Sequence, residues 1–405
     1  MAERLDDVLR EHWWVAVASI ARRIGDLEVA EDAVQEACAA AVVQWPQAGM
    51  PPNPRAWLIT TAWHKAIDMM RRDSVRAVRE AAMASDRVSQ VPENPVGPIG
   101  DDELALIFAC CHPALDPEVR VALTLRSVCG LATAEIAAVF VVAEPTMAQR
   151  IVRAKRKIRQ AGIPLAVPPP EDLPIRLNAV LRVVYLVFTQ GHRATSGPDL
   201  VRADLCDRAI WLARQLTALL PGEPEVTGLL ALFLLVDARR AARTAGDGAL
   251  VLLADQDRGL WDAAMISEGE ALIERALRIG RPGPYQLHAA IAACHSGAKS
   301  AESTDWRQIA ALYGELSRYE PTPIVAANQA VAVAMADGPE AGLAILDRLA
   351  EDGRLARWPQ MHIARGELLQ RLGRRSDAAV AYHAALAVGL PAAEQEFIER
   401  RLASL

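Results

Sequence analysis

The chain has 405 residues and a net charge of −6; 52% of the residues are hydrophobic, 23% are charged and 5% are aromatic. This length allows about two to four domains with sizeable cores. The longest strongly apolar run, 226–236, has about half of the length that crosses a bilayer, and no basic segment followed by an apolar one opens the chain, so neither a membrane span nor a signal peptide is expected. Few segments alternate with period two, which argues against an all-β fold. We therefore predict an all-α protein of the cytoplasm.

Residues 1–75 are predicted to form three helices. Within 28–45 the apolar residues recur at steps of three and four and form a buried stripe: Ala30, Val34, Ala37, Ala41 and Trp45. The opposite face then carries Glu28, Asp32, Gln35 and Glu36. The segment 45–54, WPQAGMPPNP, is expected to end this helix, and Pro54 suits the start of the next one.

A helix-turn-helix is predicted at residues 131–159. Residues 76–100 collect proline, glycine, serine and charge and are interpreted as a linker, after which a helical segment spans 101–162. Inside it, Thr133 can cap a short helix and Pro145 suits the first turn of a second one. The second helix places Met147, Ile151, Ala154 and Ile158 on one side. Its other side carries the polar and basic residues Gln149, Arg150, Arg153, Arg156 and Lys157.

Positive charge is confined to two stretches of this acidic chain. Residues 145–163 contain six basic and no acidic residues, and residues 53–79 contain six basic residues against two acidic ones. Two interpretations are open: two patches that contact nucleic acid, or two solvated helix faces. A helix with an apolar seam and an arginine-rich outer face suits the DNA major groove, with base contacts from its first turns and phosphate contacts from its later residues.

The C-terminal half is predicted to be helical throughout. A proline-rich spacer, 163–174, precedes a helical domain at 175–260, in which the polar loop 188–197 is a candidate small-molecule site. Residues 261–405 carry weak repeats: Tyr313, Leu346 and Tyr382 lie 33 and 36 residues apart, close to the tetratricopeptide period of about 34. The last copy shows the expected small and large residues at Gly366, Gly373, Ala378, Tyr382, Ala385 and Pro391.

No enzyme, metal or cofactor site is predicted. The six cysteines show no CxxC spacing and suit reduced thiols, and the GxGxxG, Walker A, HExxH and GxSxG motifs are missing. Cys110, Cys111 and His112 are adjacent, but neighbouring helical residues point about 100° apart and no second pair lies at zinc-like spacing. Cys294 and His295 are interpreted in the same way, as structural residues.

Several segments of the chain resemble those of a known protein family. GDLEVAEDAVQEA followed by NPRAWLITTAWHKAIDMMRR looks like region 2 of sigma-70-family factors of the extracytoplasmic-function (ECF) type. LATAEIAAVFVVAEPTMAQRIVRAKRKIR looks like their region 4. The remainder, including DLCDRAIWLARQL and LADQDRGLWD, resembles the ECF subgroup with a long tetratricopeptide-like C-terminal extension.

The resemblance implies roles for individual residues. Asp32, Gln35 and Glu36 match the motif that docks on the β′ clamp helices of RNA polymerase. The helix that opens the −10 element would contribute Arg55, Trp57, Trp63, His64, Lys65, Arg71 and Arg72. Region 4 would dock on the β flap and contact the −35 element through Glu144, Thr146, Gln149, Arg150, Arg153, Lys155, Arg156 and Lys157.

Three questions stay open from the sequence. Trp57 is interpreted either as a base-stacking residue or as a core residue. Many ECF factors read Ala-Arg-Asn where this chain has Ala62-Trp63-His64, which leaves its preferred −10 sequence undetermined. The repeats are expected to bind a protein or peptide partner, or to pack on the DNA-binding regions of their own chain. The leading hypothesis is an ECF sigma factor; the alternative is a stand-alone helix-turn-helix regulator with a ligand- or protein-sensing tetratricopeptide-like domain.

Overall fold

A computed structural model describes residues 2–80, 99–140, 142–192, 202–245 and 251–405. The prediction of an all-α chain is confirmed, because the described residues form α-helices and short 3₁₀ helices and no β-strand. The chain divides into two compact units, residues 1–187 and 188–405. No helix within the described ranges is long and apolar enough to cross a membrane.

The first unit contains seven helices of the described chain and most of an eighth. They are α1 (Ala2–Ile24), α2 (Leu27–Ala48), α3 (Pro54–Glu80), α4 (Ile99–Cys110), α5 (Pro117–Ser127), α6 (Thr133–Val139), α7 (Glu144–Gln160) and α8 (Leu173–His192), the last of which crosses into the second unit. Helices α1, α2 and α3 pack on one another, and α5, α6 and α7 form a second group. Helix α3 runs to Glu80 and α4 begins at Ile99, so helix extends into both ends of the predicted linker 76–100. The middle of that linker lies outside the described residues.

Helix α2 ends within the segment 45–54, as the sequence predicts. The carboxylate of Asp26 accepts hydrogen bonds from the backbone N–H groups of Glu28 and Val29 and caps the helix. The predicted apolar stripe is buried, which confirms that expectation. The helix includes Pro46 and ends at Ala48. Pro46 is tolerated because it lies in the last turn, where its missing N–H removes a single hydrogen bond.

The predicted helix-turn-helix is present as α6 and α7. The four apolar residues of α7 predicted to face inward are all buried: Met147, Ile151, Ala154 and Ile158. Helices α5 and α6 both contact α7, and Pro145 lies in its first turn. Arg153, Arg156 and Lys157 are thereby directed away from its buried seam.

The second unit is built from ten further α-helices of the described chain. They are α9 (Ala203–Leu219), α10 (Pro224–Asp237), α11 (Ala263–Arg278), α12 (Pro284–Ser296), α13 (Trp306–Tyr319), α14 (Pro323–Asp337), α15 (Pro339–Asp352), α16 (Pro359–Arg371), α17 (Arg375–Val388) and α18 (Ala392–Ala403). The apolar run 226–236 is the body of α10, which packs on α9, α11 and α12. This run is therefore a buried core helix.

The repeats are helix hairpins. Helices α14 and α15 meet at Gly338, and α16 and α17 meet near Gly373; both glycines have positive φ, 109° and 73°. Tyr382 is completely buried against Gly366, and its hydroxyl donates to Glu367 Oε1 at 2.9 Å. Small residues at such positions let paired helices approach closely, which is the physical basis of the predicted repeat pattern.

Candidate nucleic-acid interface

The outer face of α2 combines acidic and apolar residues. Asp32 and Gln35 are exposed, and Glu36 is half-buried with Oε2 3.1 Å from Lys65 Nζ. Partial burial raises the pKa of Asp32, and the negative charges of Glu28 and Glu31 raise it further.

The same face of α2 continues in two large apolar side chains. Val42 and Val43 are 49% and 62% exposed. Sequence reasoning missed both residues, although Val43 follows Asp32, Gln35 and Glu36 at helical spacing. An acidic patch extended by exposed valines is suited to bind another protein rather than DNA.

Helix α3 separates its aromatic residues from its basic ones. Trp57 is half-buried and meets the ring of Trp45 edge to face, with centroids 5.3 Å apart. The guanidinium of Arg23 lies 5.7 Å from the centroid of the Trp63 ring. Trp57 is thus in part a packing residue, and Trp63 carries a cation on its ring.

The basic residues of α3 fall into two groups. His64, Arg71 and Arg72 are exposed, and their spacing places them on one face. Arg55 is half-buried near the start of the helix, and Lys65 is half-buried and paired with Glu36. The exposed face is therefore the part of α3 that is accessible to an anionic strand.

Helix α7 presents a continuous polar and basic face. Its exposed residues from the predicted set are Glu144, Thr146, Gln149, Arg153, Arg156 and Lys157. Arg150 is half-buried, with Nη1 3.4 Å from Glu118 Oε2 of α5. This face has the charge and the helical periodicity of a major-groove reader.

Lys155 of α7 differs from its neighbours because it is largely buried against α2. Its Nζ lies 2.5 Å from Oε2 of Glu31, and the two side chains are 11% and 10% exposed. Ser127 at the end of α5 donates its hydroxyl to Oε1 of the same carboxylate at 2.8 Å. Glu31 was not among the predicted site residues; its signal is an acid beside Ala30 on the apolar stripe of α2.

Further ion pairs join the same two groups of helices. Arg159 of α7 contacts Asp26 at 3.0 Å and Glu28 at 3.5 Å. Arg22 of α1 contacts Asp102 of α4 at 2.7 Å. The described first unit therefore holds α1–α3 in direct contact both with α4 and with the α5–α7 group.

Cys111 and His112 have local partners in this arrangement. Burial raises the pKa of the Cys111 thiol to about 12, and its Sγ lies 3.7 Å from Thr124 Oγ1. His112 accepts a hydrogen bond from the N–H of Ala114 at Nδ1. Within the described ranges no group of three or more His, Cys, Asp or Glu side chains could hold a metal ion.

Comparisons with known families match three segments of the chain. Residues 10–76 match sigma-70 region 2, residues 105–158 match sigma-70 region 4, and residues 176–277 match a family of unknown function, DUF6596. The first two segments contain α2 and α6 and most of α3 and α7.

Two relatives extend these matches, and no solved structure matches the chain. "Uncharacterized protein R00370" of Rhizobium meliloti is 45% identical over 396 residues, covering 96% of this chain and 92% of the relative. "Probable ECF RNA polymerase sigma factor SigI" of Mycobacterium tuberculosis is 30% identical over 154 residues, covering 37% of this chain and about half, 52%, of the relative.

Proposed function

The chain belongs to the ECF type of the sigma-70 family, and on this premise we propose how its surfaces divide the work of promoter recognition. The face of α2 formed by Asp32, Gln35 and Glu36, extended by Val42 and Val43, binds the β′ clamp helices of core RNA polymerase. What supports this is the combination of acidic and exposed apolar side chains on one helix face. The protein thereby directs core polymerase to its promoters.

Helix α3 contacts the −10 element in this proposal. Melted DNA needs positive charge along its backbone and flat surfaces for unstacked bases. His64, Arg71 and Arg72 supply an exposed basic face, while Arg55 and Lys65 flank it. Trp57 and Trp63 supply rings beside that face, in the partly buried positions described above.

Helix α7 contacts the −35 element through its exposed face. Glu144, Thr146, Gln149, Arg150 and Arg153 occupy its first turns and are assigned to base edges. Arg156 and Lys157 follow and are assigned to phosphates. Lys155 joins the phosphate contacts only when its ion pair with Glu31 is broken. The same part of the protein, region 4, also docks on the β flap of the polymerase.

The arrangement of the first unit is proposed to be a closed form. The names of the −35 and −10 elements give their positions, which differ by about 25 base pairs. At about 3.4 Å per base pair this is roughly 85 Å of duplex. In the described unit α2 and α7 are in contact through Glu31 and Lys155. The two groups of helices must therefore separate before α3 and α7 reach both elements.

The C-terminal repeats are proposed to bind a protein or peptide partner. A groove of about 340 Å³ opens between α14, α16 and α18, and its lining includes Met335, Trp358, Ile363 and Phe397. Such an apolar groove on stacked helix pairs suits an apolar peptide segment. Sigma factors are generally not enzymes, so no bond-changing step is assigned to this protein. Binding to RNA polymerase implies that it acts in the cytoplasm.

Reconstitution with purified core RNA polymerase tests the proposal. The protein would be mixed with core enzyme and assayed for complex formation and for transcription from the upstream region of its own gene. We expect a complex and specific initiation; a complex without initiation on several templates would indicate that the closed form persists. DNA binding without any polymerase complex would contradict the sigma function and favour the stand-alone regulator.

A further inference from the structure

We infer that the second unit contains a binding site for a small oxyanion, a phosphate or carboxylate group, at Arg239 and Arg258 beside Trp261. The two arginines come from separate segments, one after α10 and the other in the segment that precedes α11. Both lie against the same ring: the guanidinium carbon of Arg258 is 4.3 Å from the Trp261 centroid, and that of Arg239 is 5.9 Å away. The inference goes beyond promoter recognition, since neither polymerase nor DNA enters it.

Among the described residues, the charged groups that shift the pKa of Arg239 are both positive. Burial, and after it the charges of Arg243 and Arg258, lowers the pKa of Arg239 to about 10. The guanidinium of Arg239 makes no hydrogen bond or ion pair with the part of the chain that the structure describes; its partner is the Trp261 ring. This situation differs from that of Arg240, which is paired with Asp237 and Asp207.

His295, at the end of α12, is affected by the positive charge of the same two arginines. Burial and the charges of Arg239 and Arg258 lower the pKa of its imidazole to about 4. Its ring meets Trp306 edge to face, with centroids 5.2 Å apart. The acidic group that interacts with Arg258 from this side is Glu302, which is exposed. An anion bound at the two guanidinium groups would add counter-charge to that of this exposed carboxylate.

Hydrogen-bond donors are available at the cluster. The indole Nε1 of Trp261 is buried and has no hydrogen-bond partner among the described residues, and the whole residue is only 8% exposed. Arg258 uses Nη1 for the carbonyls of His295 and Ala298, at 2.9 and 2.7 Å, and this anchors the segment before α11 to the end of α12. A guanidinium carries five N–H donors, so Arg258 and Arg239 both retain donors for a ligand. Donors of fixed geometry with positive charge are what recognise carboxylate and phosphate oxygens.

Calorimetric titration of the full chain with sodium phosphate tests the site. Ionic strength is held constant with sodium chloride, and sulfate and acetate are titrated in parallel. We expect saturable phosphate binding that Arg239→Gln weakens at least tenfold. The matched control is Arg214→Gln, which removes an exposed arginine already paired with Glu268 and should leave binding unchanged.

Two further variants distinguish binding at this cluster from binding elsewhere on the chain. The double variant Arg153→Gln/Arg156→Gln removes charge from the DNA-facing side of α7; if it alone abolishes phosphate binding, the proposed site is excluded. Arg239→Met keeps the packing of the side chain without its charge, so it should melt at a higher temperature than the parent without anion and lose the rise in Tm that phosphate gives. The proposal would be overturned if phosphate changed the calorimetric signal and the Tm of the parent chain no more than chloride does. Response to sulfate but not acetate would assign a tetrahedral oxyanion, and response to acetate a carboxylate.

Discussion

Lys155 of α7 and Glu31 of α2 lie 124 positions apart in the chain, yet Nζ of the lysine is 2.5 Å from Oε2 of the glutamate. Both side chains are almost entirely removed from solvent. A buried charge is tolerated only with its partner, so each residue depends on the contact between the two helices. The ion pair thus links the helix assigned to polymerase with the helix assigned to the −35 element.

Replacing Glu31 is expected to weaken the first unit. Glu31→Gln leaves the buried ammonium of Lys155 without counter-charge, and loss of one partner of a buried pair costs about 3–5 kcal/mol. The double variant Glu31→Gln/Lys155→Met should recover most of this loss, because no unpaired charge remains. Thermal and urea unfolding measure both effects. The control is Glu396→Gln in the exposed pair with Arg400, expected to cost less than about 1 kcal/mol; equal effects at the two sites would contradict the buried pair.

Charge reversal on the outer face of α2 should abolish polymerase binding. Asp32→Lys/Gln35→Lys leaves the Glu36–Lys65 pair intact while it replaces the polar face by a positive one. We expect at least tenfold weaker binding to core polymerase with an unchanged melting curve. Glu274→Lys, at an exposed acid of α11 in the second unit, is the matched control. Equal binding by all three proteins would remove this face from the interface.

Two arginines of α7 are expected to differ in what they recognise. Arg153→Ala should cost about 1–3 kcal/mol at the preferred −35 sequence and relax specificity there. Arg156→Ala should weaken binding to all sequences by a similar amount, smaller than the loss for Arg153→Ala at its preferred sequence. It should also reduce the slope of log affinity against log salt concentration by about one. Binding of the full chain to a panel of duplexes at several salt concentrations measures both. A uniform loss for Arg153→Ala would reassign that residue to phosphate.

Gly366 and Gly314 test the close packing of the repeats. A Cβ at Gly366 would lie 2.5 Å from the buried ring of Tyr382, so Gly366→Ala should destabilise the second unit by about 1–3 kcal/mol. A Cβ at Gly314 would meet only the end of the Gln329 side chain, at 3.4 Å. Because alanine is the better helix former, Gly314→Ala should be neutral or stabilise by up to about 1 kcal/mol. Calorimetric melting decides; a loss of stability in Gly314→Ala equal to that in Gly366→Ala would contradict this packing.

The buried imidazole of His295 should make the second unit less stable in mild acid. Its pKa is about 4 in the folded chain and about 6.5 when unfolded, so between these values the unfolded state binds the extra proton. This contribution is fully present above about pH 6.5 and is lost as the pH falls to 4, with a total of up to about 3 kcal/mol. His295→Gln should flatten the dependence of Tm on pH across this window. The control is His288, a half-buried residue of α12 that contacts Glu320 at 3.3 Å, and His288→Gln should retain the parental loss of stability in acid.

The sequence by itself determined the helices, the buried stripes of α2 and α7, and the close-packed glycine and tyrosine of the last repeat. These features depend on periodicity within one helix or one hairpin, and local spacing is sufficient to reveal them. The polar face of α2 and the basic face of α7 were predictable for the same reason.

Only the tertiary structure decided which side chains meet across helices. Spacing predicts the face on which a residue lies but not the helix that covers that face. By spacing alone Lys155 is one more exposed basic residue of α7, whereas in the fold it is paired with Glu31, whose other carboxylate oxygen accepts from Ser127. Arg239 likewise comes from a separate segment to the Trp261 ring, on which Arg258 also lies. Burial converts these charges from solvated groups into groups that require a partner, and burial is a property of the packed chain rather than of any one segment.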